Sequence, residues 1–184
     1  MITIVVGAEK KKFVLHKELV CREAPYFDRM FNGNLKEAKT QKCSLQEEEP
    51  STFELFVSYI YAGHFPADVK AVTGIIPVYE PIIKFYILAD KLLMSKEVKT
   101  AALEAFSEAR SSSYLHMNGA VMELVLNRTA DDCPMRKLTV DMFSRDFLNN
   151  QGFDREWLVS CLKNVSFEQI VELLMAIKDN QWCY

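Results

Sequence analysis

The sequence contains few of the residues on which catalytic and cofactor sites are usually built. Its 184 residues include only three histidines, and none of them stands in a zinc-binding pattern such as His-Glu-x-x-His. The six glycines form neither a Gly-x-Gly-x-x-Gly loop nor a Gly-Lys-Ser/Thr loop, so nucleotide binding has no support in the sequence. We therefore predict neither a metal site nor a cofactor.

The cysteines are five in number and widely separated, at positions 21, 43, 133, 161 and 183. An odd count without any Cys-x-x-Cys pair is typical neither of a disulfide framework nor of a zinc site. We interpret them as thiols of a protein in a reducing compartment. The predicted location is therefore the cytoplasm or the nucleus.

Long apolar runs and an excess of positive charge are also missing. The longest apolar stretch, residues 82–94, is interrupted by Lys84, Asp90 and Lys91, and no signal peptide is visible. The formal net charge is -3 and the sequence pI about 5.7. These features predict no membrane segment and argue against nucleic acid as a partner. The basic run Lys10–Lys12 is interpreted as an exposed turn.

Groups able to act as a nucleophile or a base are sparse. Cys21 and His16 are five residues apart, about one and a half helical turns, which would allow them to be neighbours. We favour a small buried thiol and a helix-capping imidazole instead. The carboxylates of Glu47–Glu49 and Asp131–Asp132 are interpreted as solvated charges at a helix start and in a loop. The sequence therefore predicts a protein that is not an enzyme.

Short strands and helices follow one another in the first 110 residues. Pro25 either ends one helix or begins the next, because proline suits the first helical turn. Gly63 ends a helix that begins near Pro50. Residues 64–78 are predicted to form a loop. The predicted elements are strands at 3–6, 13–15 and 41–45, and helices at 16–23, 25–31, 50–62, from 79 and after Ser95.

A polar segment, Arg110–Ser113, is the best boundary candidate, and it divides the chain into domains 1–110 and 111–184. Helical patterns dominate the second half, with helices expected at 117–127 and 138–148, one capped by Asp154, and one that begins at Ser166. Ser166 and Gln169 have the spacing of a capping box.

The segments "FVLHKELVCREAPYFDRMFNGNLKEA" and "SLQEEEPSTFELFVSYIYAG" together resemble a known family. The order of their motifs resembles that of BTB (POZ) domains. The motifs are a hairpin, Phe-x-x-His-Lys, Tyr-Phe, Met-Phe, a hydrophobic-x-Glu, a third strand, Pro-x-x-Phe and Tyr-x-Tyr-x-Gly. "FYILADKLLMSKEVKTAALEAF" is similar to the last two helices of that fold, and the insertion at 64–78 is similar to fungal members. The resemblance covers residues 1 to about 110.

The resemblance implies an α+β fold, the BTB/POZ fold, in which a small mixed three-stranded sheet is flanked by helical hairpins. Residues 111–184 would form an all-α extension. The length of the helix at 16–23 also favours such packing. A helix this short is marginal alone, so it must pack on the helix that contains Phe53 and Ile60, or on a partner.

The resemblance also implies non-enzymatic protein–protein interaction. Family members self-associate through the first strand and first helix, which here contain Ile2, Ile4, Val20 and Glu23. Many bind a cullin scaffold, cullin-3, and act as substrate adaptors for a ubiquitin ligase. That contact maps onto the segment from Phe31 to Glu37. The residues assigned to it are Phe31, Leu35 and Glu37.

The sequence leaves two alternatives open. Leu35 is expected to be exposed and to bind a partner, but it can also fold back onto the core. The chain is expected to form a homodimer or a hetero-oligomer. In the second case it would be a structural or regulatory subunit, linked to transcription or chromatin, that uses its BTB face for an unlike partner.

Overall fold

The computed structural model describes residues 1–66, 69, 79–111, 119–149 and 155–181. The chain divides into two compact units, Met1–Ser112 and Ser113–Tyr184. Within the described ranges, no helix is long and apolar enough to cross a membrane. Most of the predicted loop at 64–78, and the predicted cap Asp154, lie outside the described residues.

The first unit contains a three-stranded mixed sheet. Its strands are β1 (Ile2–Val6), β2 (Lys11–Leu15) and β3 (Lys42–Leu45), in the order β2-β1-β3. The central strand β1 pairs antiparallel with β2 and parallel with β3, so that Ile4 lies between Phe13 and Cys43. Because side chains alternate along a strand, the isoleucines of β1 face the core and Thr3 and Val5 lie on the other face. The predicted sheet is confirmed.

The turn between β1 and β2 requires glycine. Gly7 has φ +73°, and a Cβ atom there would lie 2.9 Å from Cδ of Pro50. The Gly7 amide donates to the carbonyl of Leu45 at 3.0 Å. This glycine therefore lets the hairpin approach the start of the helix at Pro50 closely.

Six described helices complete the first unit. They are α1 (Lys17–Glu23), α2 (Pro25–Asn32), α3 (Lys36–Thr40), α4 (Pro50–Ala62), α5 (Tyr79–Lys91) and α6 (Lys96–Ser111). Successive pairs pack together: α1 contacts α2 and α4, α4 contacts α5, and α5 contacts α6. Pro25 begins α2, and Gly63 ends α4 with φ +77°. The helix α3 was not predicted.

Phenylalanine side chains form the centre of the first unit. Phe27 of α2 lies 6.2 Å from Phe56 of α4 between ring centroids, and Phe56 lies 5.0 Å from Phe53. Phe13 of β2 contacts Phe53 edge-on at 4.8 Å. Phe27, Phe53 and Phe56 are fully buried. This cluster therefore joins the sheet to α2 and α4, with aromatic pairs in favourable tilted and edge-on arrangements.

In its described residues the second unit consists of helices joined by short turns, without a strand. Its helices are α7 (Gly119–Arg128), α8 (Pro134–Asn149), α9 (Arg155–Leu162) and α10 (Phe167–Gln181). The predicted capping box at the start of α10 is confirmed: the Gln169 amide donates to Ser166 Oγ at 3.3 Å, and the Ser166 amide donates to Gln169 Oε1 at 2.9 Å. The predicted α+β fold with a helical extension is confirmed.

A buried arginine connects three helices of the second unit. Arg136 at the start of α8 is 4% exposed, and its Nε and Nη2 donate to the Glu172 carboxylate of α10 at 3.1 and 2.6 Å. Its Nη1 donates to the carbonyls of Leu126 and Thr129, at the end of α7, at 2.9 and 3.1 Å. The guanidinium thus neutralises a carboxylate and binds carbonyls at the negative end of a helix dipole.

Substitution Arg136→Ala is expected to lower the free energy of unfolding of the second unit by about 3 kcal/mol, because it removes the guanidinium that pairs with the half-buried Glu172 carboxylate and donates to the Thr129 carbonyl. Arg145→Ala is the matched control, since Arg145 pairs with Asp141 at 3.0 Å on the helix surface. The control is expected to cost less than about 0.5 kcal/mol. Urea unfolding of both variants measures the difference, and equal losses would contradict the assigned role of Arg136.

Candidate protein-interaction surfaces

The first candidate surface is the α2–α3 corner, residues 31–41. Leu35 stands immediately before α3 with 54% of its surface exposed. Glu37 is half-buried in the first turn of α3. The predicted exposure of Leu35 is confirmed, and the alternative that it folds back onto the core is wrong. Phe31 is only 1% exposed, so it is part of the core beneath this surface. Its assignment as a contact residue is corrected accordingly.

Several polar groups hold α3 in place although it is only five residues long. The Lys17 ammonium donates to the Phe31 carbonyl at 3.0 Å. Gln41 adopts the left-handed conformation with φ 52°, and its amide donates to the Glu37 carbonyl at 2.7 Å. The Gln41 side chain donates to the Ala38 carbonyl at 2.5 Å. The first bond satisfies a carbonyl at the end of α2, and the two from Gln41 satisfy carbonyls at the end of α3, which a short helix cannot satisfy by itself.

Gly33 provides the space in which the chain turns from α2 toward α3. A Cβ atom at this position would lie 2.3 Å from the carbonyl oxygen of Arg29. This oxygen belongs to the backbone, so no flexible side chain can move aside to make room. Any other residue at position 33 would therefore force the backbone to shift at this turn.

Cys43 lies on the buried side of β3, and burial raises the pKa of its thiol to about 12, with a smaller contribution from the Glu37 carboxylate. Burial also raises the pKa of Cys21. Both groups are kept as protonated thiols at neutral pH, whereas a cysteine nucleophile needs the thiolate. The predicted small buried thiol at position 21 is confirmed.

The imidazole of His16 does not cap α1, so that interpretation was wrong. His16 occupies the N-cap position without a side-chain cap bond. Its Nδ1 lies 2.7 Å from the Tyr61 hydroxyl at the end of α4. A hydrogen bond to a residue 45 positions away has replaced the local cap, and it joins α1 to α4.

The carboxylates at the start of α4 also contact a distant helix. Glu49 accepts a bond from Lys84 of α5 at 2.8 Å, and Glu48 accepts one from Lys91 at 2.6 Å. Burial lowers the pKa of Lys84, but hydrogen bonds to Glu49 and Glu80 outweigh it and raise the pKa. These charges at the helix start therefore belong to ion pairs between α4 and α5.

The second candidate surface consists of the first strand and first helix. Ile2, Ile4 and Val20 are at most 1% exposed, because they fill this chain's own core. Their assignment as contact residues is corrected accordingly: a partner would touch the exposed groups beside them. Alternation along β1 already indicated that both isoleucines share the buried face. Glu23 is half-buried and accepts a bond from Arg22 at 2.8 Å.

A polar cavity of about 600 Å³ lies beside Arg136 in the second unit. Its lining includes Ser166 and Glu172, but the Ser166 hydroxyl accepts the capping bond and Glu172 accepts from Arg136. Both side chains therefore already make structural hydrogen bonds within the second unit. Among the described residues, no group of three or more His, Cys, Asp and Glu side chains is arranged to hold a metal ion.

Comparison with known families addresses the first unit. The sequence model of the BTB/POZ domain matches residues 2–106, more than half of the chain. The chain belongs to the BTB/POZ domain family. Its BTB domain is a protein-interaction module and not a member of a catalytic family, so the predicted interaction function is confirmed at that level.

The curated relatives are large proteins that share only a segment with this chain. Kelch repeat and BTB domain-containing protein 4 from Homo sapiens and from Mus musculus is 37% identical over 60 residues. The same protein from Pongo abelii shows the same identity over the same length. The match covers 33% of this chain, but only 11% of the human and mouse proteins and 12% of the Pongo abelii protein.

Proposed function

We propose that this chain is an adaptor whose BTB domain binds the amino-terminal region of cullin-3 through the α2–α3 corner and self-associates through α1. The observation that carries the proposal is the exposed Leu35 on a corner that polar bonds hold rigid. The proposed cellular location is the cytoplasm or the nucleus, and the proposed function requires no cofactor.

The physical case for the corner rests on a small number of strong contacts. Burying the exposed half of Leu35 against a partner contributes on the order of 1 kcal/mol, at about 25 cal/mol per Å². Glu37 can accept a charge-assisted hydrogen bond from a partner. Because α3 is already ordered, binding costs little additional conformational entropy. A few such residues commonly dominate an interface.

The case for self-association rests on the exposed side of α1. Val20 and Cys21 attach α1 to its own unit, while Glu18 and Arg22 are exposed and Leu19 is half-buried. Charges of both signs on one helix side are compatible with a twofold contact, in which each acidic group meets the basic group of the other copy.

The double substitution Leu35→Ala/Glu37→Ala is expected to weaken binding to the cullin-3 amino-terminal domain about tenfold or more, since it removes the apolar anchor and the acceptor together. Lys39→Ala is the matched control, because Lys39 is exposed on the same helix. Titration by isothermal calorimetry measures both. Equal affinity of the double variant and the wild type would refute the assigned contact.

Self-association is expected to appear as a dimer in sedimentation velocity at tens of micromolar. Leu19→Asp is expected to abolish the step that α1 mediates, because it places a charge in the proposed contact. Leu93→Asp is the control, since Leu93 is 47% exposed in a turn of the same unit. A wild-type protein that stays monomeric over the whole concentration range would contradict self-association.

The second candidate is a structural or regulatory subunit that uses the BTB face for an unlike partner in transcription or chromatin. The burial of Ile2, Ile4 and Val20 favours this candidate, because the first strand and first helix then offer fewer apolar side chains to a second copy of the chain. Affinity purification from native cells separates the two functions. Ubiquitin-ligase components support the adaptor, and a stable unrelated partner supports the subunit.

A further inference from the structure

The end of helix α5 is closed by a Schellman motif, which fixes the backbone of Leu93. The Met94 amide donates to the Ala89 carbonyl at 2.9 Å, and the Leu93 amide donates to the Asp90 carbonyl at 3.0 Å. This pair of bonds requires a left-handed residue between Leu92 and Met94, and Leu93 has φ 58°. The conformation at position 93 is therefore set by the way the helix ends.

Leucine is an unfavourable residue for this conformation. A left-handed backbone brings Cβ close to the following carbonyl oxygen, so glycine or asparagine usually occupies this position. Helix α4 follows that rule, since Gly63 ends it with φ 77°. Leu93 is 47% exposed, whereas its neighbours Leu92 and Met94 are buried, so Leu93 gains only part of the burial that could offset the strain. The fold of the first unit alone therefore favours glycine or asparagine at position 93.

The turn that contains Leu93 lies at the start of α2. The Tyr26 amide, in the first turn of α2, donates to the Leu92 carbonyl at 3.2 Å. Leu35 follows the end of the same helix. Because α2 has 8 residues and is about 12 Å long, the two exposed leucines are separated by a distance of this order. Leu93 and Leu35 therefore lie at opposite ends of α2.

One side of α2 is open to solvent between these two ends. Pro25, Asp28, Arg29 and Asn32 are exposed, and their spacing of three, one and three residues places them on the same side of the helix. The side chains of Asp28 and Asn32 are joined by a hydrogen bond of 2.8 Å. A partner that lies along α2 would therefore meet polar groups in the middle and an exposed leucine beyond each end.

We propose that Leu93 is a second contact residue for the partner that binds the α2–α3 corner, and that it is retained although it strains the end of α5. Strained residues that bring no matching gain within the fold are concentrated at functional positions. This inference rests on the proposed function, because it names a further residue for the same partner. It is separate from the self-association proposed for α1. The partner is expected to present two apolar sites about 12 Å apart.

The substitution Leu93→Asn separates binding from stability. Asparagine adopts the left-handed conformation more readily, so the thermal unfolding midpoint of the first unit is expected to rise by about 3 °C. Loss of the apolar side chain is expected to weaken binding to the cullin-3 amino-terminal domain about fivefold. Circular dichroism of the full chain measures the midpoint, and isothermal titration calorimetry measures the affinity.

Leu93→Met is the matched variant, because it keeps both an apolar side chain and the unfavourable backbone conformation. Its affinity is expected to stay within about twofold of the wild type, with an unchanged midpoint. Lys96→Ala is the second control, since Lys96 is exposed in the first turn of α6, three positions after Leu93. It is expected to change neither the affinity nor the midpoint.

Weaker binding together with a higher midpoint in Leu93→Asn supports the contact, because a purely structural role would move both quantities in the same direction. Equal binding of Leu93→Asn and the wild type, or a lower midpoint, would overturn the role of Leu93. The corner contact would still stand in that case, provided that Leu35→Ala/Glu37→Ala weakens binding. A wild-type chain that does not bind the domain would overturn both proposals.

Discussion

The core that combines the buried side of β1 with the phenylalanines of α2 and α4, joined to the sheet through Phe13 of β2, is the constraint on which the first unit depends. Ile2, Ile4 and Val6 are at most 1% exposed, and Phe27 and Phe53 lie in the same core. A single strand placed between an antiparallel and a parallel neighbour can present all three apolar side chains to one face. The position of α1 follows, because a helix this short is not stable alone and packs its buried side chains into the unit, while α3 lies against α2 and β3.

Buried residues of this core support the two candidate surfaces, and exposed residues beside them face a partner. Phe31 and Val20 are buried in the core, whereas Leu35, four residues after Phe31 in the chain, is exposed. At this corner Lys17 and Gln41 satisfy backbone carbonyls, and Gly33 leaves the space that the turn requires. A surface preorganised in this way is suited to binding another polypeptide, because little freedom is lost when the partner arrives.

Local signals in the sequence were sufficient for much of the fold. Pro25 and Pro50 begin helices, Gly63 ends one in the left-handed conformation, and the Ser166–Gln169 capping box forms as its spacing indicates. Each of these features is decided by backbone chemistry within four residues. The exposure of Leu35 was also predictable, since a polar Asn-Gly-Asn turn precedes it.

The remaining features depend on contacts between residues far apart in the chain. The helix α3 has no buried side chain, so no apolar periodicity indicated it. The bond of His16 to Tyr61 and that of Arg136 to Glu172 span 45 and 36 positions. No local pattern encodes such pairs. The isoleucines of β1 were assigned to a partner contact from family resemblance, although their alternation indicated the core.

The most direct test of a binding function at the α2–α3 corner is hydrogen–deuterium exchange of the full chain, alone and in the complex isolated from native cells. We expect the amides of residues 35–41 to exchange more slowly in the complex, while those of β1, already buried, exchange at the same rate. Unchanged exchange at residues 35–41 in a complex that remains intact would contradict it.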